Sequence, residues 1–249
     1  MNAIRDQVPP VICISLPEQH ERRARMRAQF EAAGIPLRFF GALRIAGDVE
    51  SYPSSYAAGQ RLRRYAMHLC PGEIGCYLSH REVWRQLAAS NDAAWCVLED
   101  DVILGDEFAQ TIAALYRLRS EWDVVRLTQP QRKDFHVLKP LHGATQLIAF
   151  SKQPTGAVGY LVTRKAASVL YSFTEQILRP IDDMMDRHWE HRLRMRGVFP
   201  DAVTHDWDLP TTIAGRGKAK RSLAQKLVHN FYTGRDSVFR QVYNWTHSL

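Results

Sequence analysis

The sequence predicts an α/β fold with a mostly parallel central sheet. Three observations carry that expectation. Short apolar runs rich in β-formers alternate with stretches whose apolar residues recur at helical spacing. The runs are near-continuous, as in strands buried on both faces. The chain of 249 residues, 45% hydrophobic, 24% charged and 10% aromatic, is long enough for a packed core and excludes a disordered or low-complexity protein.

Residues 11–16 form an apolar run between Pro9-Pro10 and Pro17 and read as a buried strand. Residues 18–33 follow with Met26, Phe30 and Ala33 on one helical face, stopped by Gly34. Residues 37–40 read as a second strand. Residues 44–70, with scattered Gly, Pro, Ser and Tyr, read as a loop. The stretch Pro71-Gly72-Glu73-Ile74-Gly75-Cys76-Tyr77-Leu78-Ser79-His80 reads as a tight turn whose glycines allow close backbone approach. It leads into a helix over residues 78–89 with Val83, Trp84 and Leu87 inward. Residues 94–98 are another buried strand. Residues 106–118 read as a helix with Phe108, Ile112 and Leu115 on one face. Strands follow at 123–127 and 158–163, and a helix at 184–194.

In open α/β sheets ligands gather at the carboxyl ends of strands, which directs attention to the residues after Leu16, Leu98 and Leu127. After Leu98 comes Glu99-Asp100-Asp101. Three adjacent carboxylates repel one another, and burial raises the cost unless a cation is near. A hard divalent cation takes oxygen ligands and leaves positions for substrate phosphates. The bland alternative is a helix cap or solvated turn, although Asp106-Glu107 already supply the acidic start of the next helix.

Lys and Arg number 33 against 26 Asp and Glu, a net charge of +7. The surplus is concentrated. Residues 215–249 hold seven basic residues against Asp236 alone, and Leu223, Leu227 and Phe231 recur there every fourth position. The expected organisation is therefore a nearly neutral domain over 1–214 and a basic amphipathic extension over 215–249. That extension either meets an anionic membrane surface or packs on the domain with its charges in solvent. Cys13, Cys70, Cys76 and Cys96 form no CxxC pair and read as buried, reduced thiols. The N-terminal residues lack the apolar core of a secretory signal, and no apolar run nears the roughly 20 residues of a membrane span. A cytoplasmic protein, at most peripheral at the inner face of the membrane, is the expectation. No nucleic-acid-reading motif is present, and bare carboxylates repel phosphates, so no nucleic-acid partner is expected.

Four stretches together resemble glycosyltransferase family 25, the lipopolysaccharide-biosynthesis β-galactosyltransferase family. They are residues 11–16 with Glu21-Arg22-Arg23, residues 71–80, Val97-Leu98-Glu99-Asp100-Asp101, and residues 155–164 leading to Pro180-Ile181-Asp182-Asp183. The chain has Ser15 where the family commonly has Asn, and Pro17-Glu18 where it has Asp-Arg. The resemblance implies a GT-A-like fold, a UDP-sugar donor with galactose first among candidates, a divalent metal (Mn²⁺ or Mg²⁺), inversion at the anomeric carbon, and a lipopolysaccharide or lipooligosaccharide acceptor. It implies Asp101 as a direct metal ligand, with Glu99 and Asp100 on ribose, sugar or metal-bound water. His205 is a candidate imidazole ligand or an ordinary structural histidine. Ser15, Arg22, Gly75, Ser79, His80, Gly156 and Tyr160 are candidates for nucleotide-sugar contact. Arg22 and Arg23 lie about 100° apart on a helix, so at most one faces phosphate. Asp182 and Asp183 are candidates for the catalytic base, or for a helix cap. Thr211, Thr212 and Arg216 are candidates for closure over the donor. The competing readings are a basic nucleic-acid-binding protein and a catalytically silent nucleotide-sugar-binding relative.

Overall fold

The structure, a computed structural model, describes residues 8–129, 134–209 and 222–247. The elements run β1 (Val11–Ser15), α1 (His20–Ala32), β2 (Leu37–Gly41), α2 (Ala58–Tyr65), α3 (Pro71–Ala89), β3 (Ala94–Glu99), β4 (Val102–Leu104), α4 (Phe108–Arg117) and β5 (Val124–Arg126). They continue with β6 (Phe135–His142), β7 (Thr145–Phe150), β8 (Gly159–Thr163), α5 (Arg164–Phe173), α6 (Ile181–Met185), α7 (His188–His191), β9 (Met195–Phe199), β10 (Val203–His205) and α8 (Leu223–Thr246).

The α/β class holds, but the sheet is mixed rather than mostly parallel. Its strand order is β2-β1-β3-β8-β5-β9-β7-β6. β2, β1 and β3 are parallel, as are β5 and β9. β8 enters antiparallel between β3 and β5, and the β6–β7 hairpin forms an antiparallel edge against β9. A hairpin needs only a tight turn, whereas parallel neighbours need a crossover. Here Gly143, at φ 48°, makes the turn. β6 is half-exposed and interrupted by Pro140, which is why its sequence carries no buried-strand signal.

The two faces of the sheet explain the continuous apolar runs. Ile12 and Ile14 pack with Trp84, Leu87, Val97 and Tyr160. Val11 and Cys13 pack with Met26, Phe30, Cys96 and Leu98 on the other side. Alternate residues of β1 and β3 therefore serve two apolar layers, one under α3 and α5, the other under α1 and α4.

Three local expectations are corrected. Residues 71–80 are not a turn: α3 starts at Pro71 and runs unbroken through both glycines. Proline suits the first helical position, and Glu73 accepts the Cys70 N–H at 2.9 Å, closing one end of a capping interaction. Residues 44–70 hold a short 3₁₀ turn at Val49–Ser51 and the helix α2. Residues 184–194 are divided between α6 and α7, with Asp182 and Asp183 in the first turn of α6. No disulfide joins the cysteines; Cys13 and Cys96 are buried, but Cys70 and Cys76 are only partly so. Among the described residues no helix is long and apolar enough to cross a membrane.

Candidate active site

A cleft of about 280 Å³ opens at the carboxyl ends of β1 and β3. Ser15 and Leu16 form one wall, Glu99, Asp100 and Asp101 another, and residues 42–45 with Gly72, Cys76, Ser79 and His80 of α3 the third. Two of the three expected strand ends meet there. After Leu127, in contrast, Gln129 donates its backbone N–H to Asp201 at 2.9 Å, and the Thr128 hydroxyl donates to the same oxygen at 3.2 Å.

The α3 wall is held by close backbone approach. A Cβ on Gly75 would lie 2.4 Å from the Leu43 carbonyl oxygen, so glycine is what lets the loop after β2 lie on the helix. Ser79 fastens the same contact: its hydroxyl donates to the Gly75 carbonyl at 2.7 Å and accepts the Leu43 N–H at 2.8 Å. Gly75 and Ser79 thus shape the cleft wall.

His80 and Tyr160 form a buried chain behind Glu99. The Trp84 indole N–H donates to the Tyr160 hydroxyl at 2.9 Å, and that hydroxyl lies 2.8 Å from His80 Nδ1. With the oxygen already accepting, the phenolic proton goes to Nδ1, and His80 Nε2–H donates to Glu99 Oε1 at 3.2 Å. The Cys76 thiol donates to the same oxygen at 3.7 Å. Burial pushes the Glu99 carboxyl up, but His80 and Cys76 outweigh it and hold the group below its ordinary range. Tyr160 is fully buried and reaches the cleft only through His80, contrary to the expectation of sugar contact. Cys76 and His80 are one helical turn apart on α3, a pairing that follows only from the helix starting at Pro71.

Arg22, from α1, is buried and pairs with Asp100 at 2.8 Å and Asp101 at 3.6 Å. It meets the carboxylates of the acidic strand end. Arg23 lies over the Phe39 ring.

Asp101 and His205 are 104 positions apart in sequence, yet β10 pairs antiparallel with β4, setting His205 against Val102. The Asp206 N–H donates to the Asp101 carbonyl at 2.8 Å. Asp101 Oδ1 and His205 Nδ1 are then 3.6 Å apart, both buried and without a hydrogen-bond partner among the described residues. Burial, then the charges of Glu99 and Asp100, push the Asp101 carboxyl up to about 7, against the pull of Arg22. Transition-metal bonds to imidazole nitrogen and carboxylate oxygen are about 2.0–2.2 Å, so one ion between the two atoms spans up to roughly 4 Å. An oxygen and a nitrogen donor at this separation, beside two more carboxylates, suit a divalent transition ion such as Mn²⁺ better than Mg²⁺, which takes oxygen ligands. The exposed Trp207 ring stacks edge-on against His205, with centroids 4.4 Å apart.

Asp182 and Asp183 do not line the cleft. Asp182 accepts the N–H groups of Gly156 and Asp183, each at 3.0 Å, while Asp183 pairs with Arg179 at 3.0 Å. Gly156, at φ 105°, connects Asp182 to the cleft: two residues on, the Val158 carbonyl accepts the Glu99 N–H at 2.8 Å. Gly159 answers to strand packing, since a Cβ there would sit 3.0 Å from Val203 and 3.1 Å from Leu98. The buried Arg126 donates to the Gly156 carbonyl and pairs with Asp186. Burial pushes the Asp186 carboxyl up to about 7, against that arginine. Arg126 ends β5 and Asp186 lies in the turn after α6, and no local pattern in the sequence links them. Thr211, Thr212 and Arg216 lie outside the described residues.

A sequence model described as Glycosyltransferase family 25 (LPS biosynthesis protein) matches residues 8–185. The chain is 30% identical over 186 residues to Lacto-N-neotetraose biosynthesis glycosyltransferase LgtB of Neisseria gonorrhoeae, covering 69% of this chain and 64% of that protein. It is 25% identical over 190 residues to Lipooligosaccharide biosynthesis protein lic2B of Haemophilus influenzae, covering 69% and 67%. It is 24% identical over 192 residues to Procollagen galactosyltransferase 1-B of Xenopus laevis, covering 72% and 31%. A solved glycosyltransferase involved in glycosylation of the major capsid of PBCV-1 shares 10% identity over 66% of this chain and 65% of its own, with a TM-score of 0.26, a likeness that carries no argument. The family match covers more than half the chain and takes in β1, α3, the acidic strand end and α6: the protein belongs to glycosyltransferase family 25.

Proposed function

We propose that the protein is an inverting, metal-dependent hexosyltransferase of the GT-A type. In this reading it moves galactose from UDP-galactose onto a lipopolysaccharide or lipooligosaccharide acceptor at the inner face of the cytoplasmic membrane. The observation that carries it is the pair Asp101 Oδ1 and His205 Nδ1, buried, 3.6 Å apart beside a strand-end cleft and without a hydrogen-bond partner among the described residues. Relatives named for galactosyl transfer and for lipooligosaccharide biosynthesis support the donor and acceptor classes.

Transfer from a nucleoside diphosphate sugar makes two demands. Negative charge gathers on the departing diphosphate, and the acceptor hydroxyl loses a proton. Asp101 and His205 would hold a divalent ion, which when bound neutralises diphosphate charge. Arg22 offsets the charge of Asp100 and so keeps the acidic strand end from repelling the donor outright. Glu99, kept ionised by His80, is an acceptor for donor hydroxyls. Of the two candidates for the base, both outside the cleft and both engaged, Asp182 by backbone N–H groups and Asp183 by Arg179, Asp182 is the one joined through Gly156 to the loop that reaches Glu99. Attack would then come on the sugar face opposite the diphosphate.

The test is a panel of UDP- and GDP-hexoses assayed with Mn²⁺, with chelator, and with Asp101→Ala. The expected result is turnover of UDP-galactose that needs the metal and is lost in Asp101→Ala. Transfer indifferent to chelator and to that substitution would remove the metal, and turnover of GDP-sugars alone would remove the donor.

A further inference from the structure

The helix α8 is mounted with its amphipathic pattern reversed. An ordinary surface helix turns its apolar stripe to the core. In α8 the buried residues are Asp236, Tyr243 and Asn244. Asp236 pairs with Arg179 at 2.6 Å and Arg187 at 2.9 Å, and the Asn244 amide donates to the Ser151 carbonyl at 2.6 Å. At about 100° per residue, Leu223, Leu227, Phe231, Val238, Val242 and Trp245 gather on the far side. They are exposed, from 54% at Val242 to 85% at Trp245. Helical propensity and capping do not explain this face: the Ser222–Gln225 capping box starts the helix whatever its orientation.

We propose that this outward face of α8 docks on an anionic lipid bilayer, lying in the plane of the interface with Leu227, Phe231 and Trp245 entering the acyl boundary. Charge and shape select that occupant. The exposed Lys226 flanks the stripe, the half-buried Arg235 lies between Val242 and Val228 on its other side, the exposed Arg63 stands beside it on α2, and in sequence Arg216, Lys218, Lys220 and Arg221 precede it. The one acid of residues 215–249, Asp236, faces the protein. A second copy would bring the same positive charge to the same surface. Exposed Val228 and Phe239 also widen the apolar sector to roughly 160°, broader than the narrow seam that pairs two helices. Apolar and aromatic residues on one face with basic residues at its borders are what an anionic interface binds. The inference uses no property of the cleft and stands apart from the reaction proposed above.

The experiment is flotation of the full-length protein with vesicles of phosphatidylcholine alone or mixed with phosphatidylglycerol, without donor or acceptor. The expected result is binding to the anionic vesicles that weakens with salt and falls at least tenfold in Leu227→Ser/Phe231→Ser/Trp245→Ser. Phe231→Asp alone should also weaken it, and both variants should keep the wild-type melting temperature and donor turnover. Failure of the wild type to float with anionic vesicles overturns the proposal, as does equal flotation of folded variants. A dimer seen by light scattering in the wild type and lost in the variants, with no flotation, would give the face to a second copy and overturn it too.

Discussion

His80 holds Glu99: its Nε2 lies 3.2 Å from Glu99 Oε1, while the opposite ring nitrogen rests 2.8 Å from the Tyr160 hydroxyl. The histidine is a full turn along α3 from Cys76, and the carboxylate ends β3, so this hydrogen bond and that of the Cys76 thiol join the helix to the sheet at the cleft. An isolated carboxylate at this depth would be driven toward its neutral form. The imidazole reverses that, and the tyrosine fixes which ring nitrogen faces the acid.

Tyr160→Phe and His80→Ala should therefore separate stability from function. Removing the hydroxyl leaves the Trp84 N–H and His80 Nδ1 unpaired inside the protein, at a cost of about 1–3 kcal/mol, or roughly 2–4 °C in melting temperature per kcal/mol at this size. Donor turnover should survive in Tyr160→Phe. His80→Ala should lower kcat/KM for the donor at least tenfold, because Glu99 loses the group that keeps it ionised. Thermal melts with donor titrations check this, and equal losses of turnover in the two variants would contradict it.

Gly75→Ala sets two effects against each other. Helix propensity alone favours alanine by about 1 kcal/mol. The added Cβ, however, would stand 2.4 Å from the Leu43 carbonyl oxygen, a backbone atom that yields only if the loop over residues 42–45 moves. Overpacking of that kind costs about 1–3 kcal/mol. A net loss of stability is expected, with weaker UDP binding because the loop walls the cleft. Calorimetric titration with UDP reads it; a stabilised variant with unchanged affinity would show that the loop contact does not matter.

Asp182→Asn and Asp183→Asn distinguish base from scaffold. A general base contributes about 10²–10⁴ in rate. Asp182→Asn should lose turnover on that scale while UDP still binds, and Asp183→Asn should stay within a few-fold of wild type. Near-full turnover in Asp182→Asn would move the base elsewhere.

Asp236 gives a pH dependence with a definite sign. Burial pushes its carboxyl up, but Arg187 and Arg179 overcome this and hold it far below the ordinary carboxylate range. A group with a depressed native pKa adds stability that is present above its unfolded value, about 3.9, and is lost as pH falls toward the native value. Below about pH 4 the wild type should lose stability more steeply than Asp236→Asn. At neutral pH the variant should be less stable, by less than the roughly 3–5 kcal/mol that a buried charge left wholly uncompensated costs, since Arg179 keeps Asp183 and Arg187 keeps Glu190. Denaturation across pH 2–7 checks both; parallel acid limbs would refute the assignment.

What the sequence determined by itself is local. Five strands, the α1 and α4 helices and the acidic end of β3 follow from apolar runs and their punctuation, because burial on two faces leaves a continuous run and burial on one leaves a period. The combination of residues 71–80 with Glu99-Asp100-Asp101 also marked the family. Tertiary structure decided what those residues meet. Gly75, Ser79 and Tyr160 are buried supports of the cleft, since α3 starts at Pro71 and buries them. Asp101 reached His205, and Arg22 reached Asp100, across 104 and 78 positions, through strand pairings that no local period encodes. Most plainly, the spacing of Leu223, Leu227 and Phe231 announced an amphipathic helix without saying which side faces the domain. Two arginines, Arg179 and Arg187, settle that by drawing in Asp236, because a paired buried charge orients a helix that its apolar stripe alone would have turned the other way.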